Sequence, residues 1–127
     1  MTVTLRGYGR GDITASDQAL AAGQFKVATV FAAAATEALL LWACVRRQPA
    51  RQAQFERMTL GDLIDVALAE RLIEQGTKDV AGQARDFRNL IHPGKAQRAG
   101  AICNLGTAHV ARGAVELVAT SLSTKFP

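Results

Sequence analysis

The chain has 127 residues, and its fifteen basic and eleven acidic side chains give a net charge of +4 and a pI near 9.6. This length allows one domain with a hydrophobic core that needs neither a disulfide nor a metal for stability. Abundant Ala and Leu, few aromatic residues and only three prolines exclude a typical β-sandwich composition and predict an all-α fold.

The cysteines and the hydropathy of the chain predict its cellular compartment. Cys44 and Cys103 lie far apart without CxxC spacing, and no secretory apolar segment follows Met1, so we expect a cytoplasmic protein. The apolar run 27–45 is long enough to span a membrane, but Glu37 lies near its centre. A charge there costs roughly 2.5 kcal/mol or more in a bilayer, so we expect a buried helix and no membrane contact.

Residues 1–13 are rich in glycine, and three of these glycines alternate with Arg6, Tyr8 and Arg10. Such a sequence could stack on RNA, but we favour a flexible N-terminal arm. A single helical domain is then expected over 14–127. Thr14 and Asp17 have the spacing of a capping box, which predicts a first helix from 14 to about 47.

This predicted first helix is apolar on two faces, so it requires a packing partner on each side. In a short chain the second partner can be another subunit, and we therefore predict a homodimer. Glu37 is an exception within the apolar run. It either lies at the edge of the packed region or receives an arginine from the third helix, orienting that guanidinium.

Four arginines crowd the connection that follows: Arg46, Arg47, Arg51 and Arg57. We favour a solvated connection over a phosphate-contacting surface. Thr59 and Asp62 then form a second capping-box pattern, which predicts a second helix that Gly76 ends.

Thr77 is expected to cap the third helix, which ends at Ile91 or His92 because Pro93 follows. A fourth helix is predicted over about 99–123. Its candidate inward positions, one of which is the second histidine, are Ile102, Leu105, His109, Val110, Leu117, Val118 and Leu122.

The end of the predicted third helix carries four polar side chains on one face. At about 100° per residue, Arg85, Arg88, Asn89 and His92 share one face, opposite the apolar face of Val80, Ala84, Phe87 and Ile91. RNA cleavage by its own 2′-hydroxyl needs proton transfer, which histidine performs, and positive charge on the phosphate, which arginine supplies. The alternative is a solvated face on which His92 caps the helix.

Metal and cofactor sites have no support in the spacing of the residues. Cys44, Cys103, His92 and His109 do not have zinc-ligand spacing, and there is no Gly-rich phosphate loop or nucleophile elbow. We therefore expect neither a metal nor another cofactor.

Two segments together resemble one family. The segment 59–64 opens one helix with Thr-Leu-Gly-Asp-Leu-Ile, and the segment 85–94 closes the next with Arg-Asp-Phe-Arg-Asn-Leu-Ile-His-Pro-Gly. This arrangement is similar to the HEPN superfamily (higher eukaryotes and prokaryotes nucleotide-binding), over about residues 17–123. The resemblance implies an antiparallel four-helix bundle that dimerises and acts as a metal-independent endoribonuclease in a toxin–antitoxin or defence system.

The family motif is an arginine, a polar residue, and a histidine after four to six intervening positions. Arg85 precedes His92 by six intervening residues, whereas Arg88 with Asn89 has the right dipeptide but only three, so either arginine can be the motif arginine. The resemblance implies catalytic roles for Arg85, Arg88, Asn89 and His92, and RNA contacts for Lys95 and Arg98. The resemblance also implies an antitoxin or other protein partner. The alternative function is that of a non-catalytic helical dimer that binds a protein or a nucleotide.

Overall fold

The computed structural model describes residues 9–89 and 103–127, and all of its regular structure in these ranges is helical. The prediction of an all-α fold is confirmed. The helices are α1 (Arg10–Ala21), α2 (Phe25–Arg47), α3 (Gln52–Phe55), α4 (Leu60–Ala69), α5 (Gln75–Asn89) and α6 (Leu105–Lys125), with a 3₁₀ turn at Pro49–Arg51.

The predicted first helix is in fact two helices, because the chain turns between α1 and α2. Gly23 has a φ of 73°, and its N–H donates to the Leu20 carbonyl at 3.0 Å while the Gln24 N–H donates to the Ala19 carbonyl at 2.8 Å. This pair of bonds is a Schellman motif, which glycine favours because it tolerates the left-handed backbone. The prediction of one continuous helix from 14 to 47 is wrong at this point.

The predicted arm also ends earlier than expected. Helix α1 begins at Arg10, with Gly9 as its N-cap, so Thr14 and Asp17 lie inside the helix rather than in a capping box. Glycine is favoured at position 9, because its φ of 72° is left-handed and a Cβ atom there would come within 3.3 Å of the Ala35 backbone. Residues 1–8 of the predicted arm lie outside the described residues.

Helix α2 is the centre of the fold and packs against α1, α4, α5 and α6. Most of its buried positions hold small side chains (alanine, threonine or cysteine), which lets neighbouring helices approach closely, while larger side chains fill the core around them. The largest fully buried apolar side chains are Leu39, Leu40, Phe55, Leu60, Leu63, Ile64, Leu72, Val115, Val118 and Leu122. One face of α2 remains partly uncovered, with Val27 and Val30 exposed.

Helix α4 begins where the sequence predicts. The Thr59 hydroxyl accepts from the Asp62 N–H at 3.2 Å and the Asp62 carboxylate accepts from the Thr59 N–H at 3.3 Å, which confirms the capping box. The helix ends at Ala69, before the predicted stop at Gly76. Arg71, the residue after the C-cap Glu70, takes the left-handed conformation with a φ of 58°, at a position where glycine is usual.

Helices α5 and α6 begin at positions that differ from the prediction. Helix α5 begins at Gln75, so Thr77 is not its cap; this buried threonine instead lies with its hydroxyl 3.4 Å from that of Ser121. Helix α6 begins at Leu105, capped by Asn104 through a capping box, and not near residue 99.

The predicted inward face of α6 is only partly correct. Val118 and Leu122 are buried, but Leu105, Leu117 and His109 are exposed. The buried face is instead completed by alanines, because α6 packs closely against α2. Ile102 lies outside the described residues.

Candidate functional site

Helix α5 presents the polar side chains that the sequence singles out. Thr77, Ala81 and Ala84 are its buried positions, three to four residues apart, as expected for one face of a helix. This packing leaves Arg88 half-buried and Asn89 exposed at the end of α5. The helix is thereby fixed against the core while its last turn remains accessible.

Arg88 and Glu37 form an ion pair between α5 and α2. The Arg88 Nη1 atom donates to the Glu37 Oε2 atom at 2.9 Å, and the two side chains are 30% and 40% exposed. The prediction that Glu37 receives an arginine from the third predicted helix is confirmed. Since both groups remain partly solvated, the pair positions the guanidinium more than it stabilises the fold.

The ion pair forms the polar wall of an open groove of about 380 Å³. The rest of the groove is apolar and comes from the uncovered face of α2. Its lining residues are Val30, Ala34, Glu37, Ala38, Leu41 and Arg88. A guanidinium at the edge of such a groove can bind an anionic group, because an arginine has five N–H donors and one carboxylate occupies only part of them.

Arg85 does not join Arg88 in this groove. Its Nε and Nη2 atoms donate to Asp86 Oδ1 at 3.1 and 3.0 Å, and its side chain lies against Gly61 at the start of α4, where a Cβ atom would meet Arg85 Nη1 at 3.1 Å. The two candidate motif arginines therefore have different neighbours in the structure. The two residues are only about 60° apart around α5, yet Arg85 lies against the start of α4 and Arg88 pairs with Glu37 of α2.

His92, Lys95 and Arg98 lie outside the described residues, as do Ile91 and the predicted end of the third helix. His109 was expected on the inward face of the last helix, but it is exposed on α6. The described part of the predicted site therefore consists of Glu37, Arg88 and Asn89, with Arg85 set apart.

A group of arginines stacked on aromatic rings was not predicted. The guanidinium carbon of Arg46 lies 5.6 Å from the centre of the Trp42 ring, and that of Arg51 lies 4.6 Å from the centre of the Phe55 ring. Both pairs have i, i+4 spacing, so the sequence contained a signal for them. Arg47 stacks on Phe126 at 5.5 Å, a pair that no local pattern could indicate.

The two cysteines are free thiols. Cys44 is buried in α2, and Cys103 is partly exposed before α6. Burial raises the pKa of the Cys44 thiol from 9.0 to about 11, and the nearby Glu70 charge acts in the same direction. A thiol that remains protonated near neutral pH is a poor nucleophile and a poor metal ligand.

A metal site and a membrane span are two other features that would bear on function. Within 9–89 and 103–127, no three His, Cys, Asp or Glu side chains are grouped so that they could hold a metal ion. Among the described helices, α2 alone has the length and hydropathy of a membrane span, but 61% of its most apolar window is buried inside the protein. A core helix of a soluble protein has the same properties.

Comparisons with known proteins give no assignment. No protein-family model matches the chain, and no curated protein or solved structure is significantly similar to it.

Proposed function

We propose that this protein is a metal-independent endoribonuclease of HEPN type that works as a homodimer in the cytoplasm. The observation that carries the proposal is the Glu37–Arg88 ion pair at the wall of an open groove. Arg88 lies four residues before His92 in the sequence. A positioned arginine close in sequence to a histidine supplies two of the groups that RNA cleavage by the 2′-hydroxyl needs.

Each side chain has a distinct role in the proposed reaction. The 2′-oxygen attacks the adjacent phosphorus, the bond to the 5′-oxygen breaks, and a 2′,3′-cyclic phosphate and a 5′-hydroxyl form. His92 transfers one of the two protons, Arg88 stabilises the charge on the non-bridging oxygens, and Asn89 orients the phosphate. Lys95 and Arg98 hold the RNA. Arg85 is engaged by Asp86 away from the groove, which favours Arg88 as the motif arginine.

Dimer formation supplies what one chain lacks. Only one histidine belongs to the polar cluster, and the reaction requires both a proton acceptor and a proton donor. Val27 and Val30 leave an apolar part of α2 exposed, at 41% and 36%, and this face can pack on a second copy. We propose that α2, α4, α5 and α6 form the antiparallel four-helix bundle, with each Arg88 at the border of the dimer contact.

The test is RNA cleavage by the purified protein in the presence of a chelator. His92→Ala is expected to lower kcat/KM by on the order of a hundredfold or more, and Arg88→Ala by about a hundredfold. His109→Ala and Arg85→Ala are the matched controls, because they remove the same side-chain types outside the groove, and both should retain activity. Equal activity of His92→Ala and the wild type would contradict the proposal.

A second function is favoured by one feature of the same site. The Arg88 charge is already balanced by Glu37, which suits a non-catalytic dimer that binds a protein partner, such as an antitoxin, or a nucleotide through this surface. In that case no RNA is turned over by the wild type, and a tight complex with the partner persists in His92→Ala.

A further inference from the structure

The C-terminal end of α2 and the turn after it form a surface with an unusual arrangement of charge. Three arginines of this region are each placed over an aromatic ring: Arg46 over Trp42, Arg47 over Phe126 and Arg51 over Phe55. The Trp42 and Phe126 rings meet edge to face, with centroids 5.2 Å apart. We call these six residues the arginine–aromatic surface.

Two of these arginines have no carboxylate partner in the described part of the chain, unlike three arginines of α5 and α6. Arg85, Arg88 and Arg112 each form an ion pair with a carboxylate. Arg46 and Arg47 form none within residues 9–89 and 103–127, and both are exposed. Stacking on a ring fixes the plane of a guanidinium but leaves its N–H edge available, so these two arginines can accept an anionic partner without losing an internal one.

An apolar groove of about 560 Å³ lies beside them. Its walls come from α2, the 3₁₀ turn, α3 and the C-terminal residues, and its lining side chains are Leu41, Trp42, Val45, Arg46, Pro49, Gln52, Glu56 and Phe126. The volume is in the range of small-molecule sites and is enough for a nucleobase. A base there can contact the Phe126 ring and the outer face of the Arg46 guanidinium.

This groove adjoins the groove at Arg88, because Leu41 lines both. Glu37 and Arg46 are nine residues apart on α2, which is about 14 Å along the helix axis. The same nine residues place Glu37 and Arg46 about half a turn apart around α2, so a strand bound at Arg88 would reach the arginine–aromatic surface by passing along the side of α2 at Leu41, which both grooves share.

We propose that the arginine–aromatic surface binds single-stranded RNA, with one base in the groove and phosphates on Arg46 and Arg47. The inference rests on the proposed function for its ligand class. Single strands expose the base faces that stack on aromatic rings and guanidinium planes, whereas in a duplex those faces are covered. The positive charge complements the RNA backbone, and the apolar groove complements the base.

The test uses a fluorescein-labelled 2′-O-methyl RNA of about 12 nucleotides, which lacks the attacking hydroxyl and so reports binding without cleavage. Anisotropy is measured across a salt series, and fluorescence of Trp42, the single tryptophan, is followed in parallel. The double variant Arg46→Gln/Arg47→Gln is compared with Arg10→Gln/Lys26→Gln, which removes the same charge at exposed positions on α1 and the start of α2.

The Arg46→Gln/Arg47→Gln variant is expected to bind at least about tenfold more weakly and to lower the salt slope by about 1.4, which corresponds to two lost phosphate contacts. The control should bind like the wild type, and RNA should change Trp42 fluorescence only where binding is retained. Equal binding by both double variants would overturn the inference. Equal affinity for a duplex of the same sequence would also overturn it. A third contrary result would be a polyglutamate peptide that displaces the RNA and changes Trp42 fluorescence at a lower concentration than the RNA does.

The two proposals can fail separately. If the protein does not cleave RNA but binds it through Arg46 and Arg47, the proposed function is wrong and this inference stands. If it cleaves RNA and Arg46→Gln/Arg47→Gln binds and cleaves like the wild type, the inference is wrong and the proposed function stands.

Discussion

Glu37 of α2 and Arg88 of α5 meet at 2.9 Å, across 51 positions of sequence. Glu37 is the one acidic side chain within α2, and its partner comes from the last full turn of α5. The pair thus fixes the direction of a guanidinium at the mouth of a groove.

Removing the charge of Glu37 should affect activity more than stability. Glu37→Gln keeps the shape of the side chain but loses the ionic attraction, so we expect kcat/KM for RNA to fall by about tenfold or more through misplacement of Arg88. Because both partners are partly exposed, the free energy of unfolding should change by less than about 1 kcal/mol. Cleavage assays and urea unfolding measure the two quantities.

Asp86→Asn is the matched control for that experiment. Asp86 pairs with Arg85 at a similar distance of 3.0 Å, but this pair lies outside the groove. Cleavage should be unchanged in Asp86→Asn. A loss of activity equal to that of Glu37→Gln would assign the motif arginine to Arg85 instead.

Thr36→Val should stabilise the protein. The Thr36 hydroxyl is fully buried and has no hydrogen-bond partner in the described part of the chain, so replacing it by a methyl group removes an unsatisfied polar atom and should raise the free energy of unfolding by about 1–2 kcal/mol. Thr29→Val is the control. The equally buried Thr29 hydroxyl donates to the Phe25 carbonyl at 2.8 Å, so its removal should give no gain in urea unfolding.

The capping box of α4 can be tested by one substitution. Thr59→Ala should lower the free energy of unfolding by about 1 kcal/mol, because the Asp62 N–H loses its acceptor. Thr124→Ala removes a threonine that bonds only to the Ser121 carbonyl near the end of α6, so it should change stability little. Equal midpoints for both variants in urea would show that the cap contributes nothing.

Local chemistry explains which parts of the fold the sequence could predict. The Thr59–Asp62 capping box forms within one turn of helix, so the predicted start of α4 is correct. The Thr14–Asp17 spacing is the same, but Asp17 is inside α1 and instead accepts from Arg112 Nε at 2.9 Å, a contact that the local pattern does not show. The end of α4 was missed because Arg71, not a glycine, takes the left-handed conformation.

The sequence predicts one contact of the candidate site but not the contacts that depend on the fold. A carboxylate within an apolar helix requires a neutralising partner, and this requirement predicted the Glu37–arginine pair without identifying Arg88. The Arg85 side chain lies against Gly61 of α4, a contact between helices that the local sequence does not show. The Arg47–Phe126 contact joins residues 79 positions apart, so only the fold brings them together.

The buried thiol predicts a specific pH dependence. Because burial raises the Cys44 pKa to about 11, the folded chain keeps a proton that the unfolded chain loses above pH about 9. The free energy of unfolding should therefore fall between pH 9 and 11, by up to about 1.4 kcal/mol per pH unit from this group. Urea unfolding across that window should give a shallower slope for Cys44→Ala than for the wild type or Cys103→Ala, and identical slopes would contradict the assignment.

The central claim is that His92 and Arg88 cleave RNA through its own 2′-hydroxyl. The most direct measurement uses a DNA oligonucleotide that contains a single ribonucleotide, incubated with the protein and a chelator. We expect one cut by the wild type, on the 3′ side of the ribonucleotide and with a 2′,3′-cyclic phosphate end, and almost no cut by His92→Ala or Arg88→Ala. Cleavage of the all-DNA strand, or equal cleavage by the wild type and His92→Ala, would contradict it.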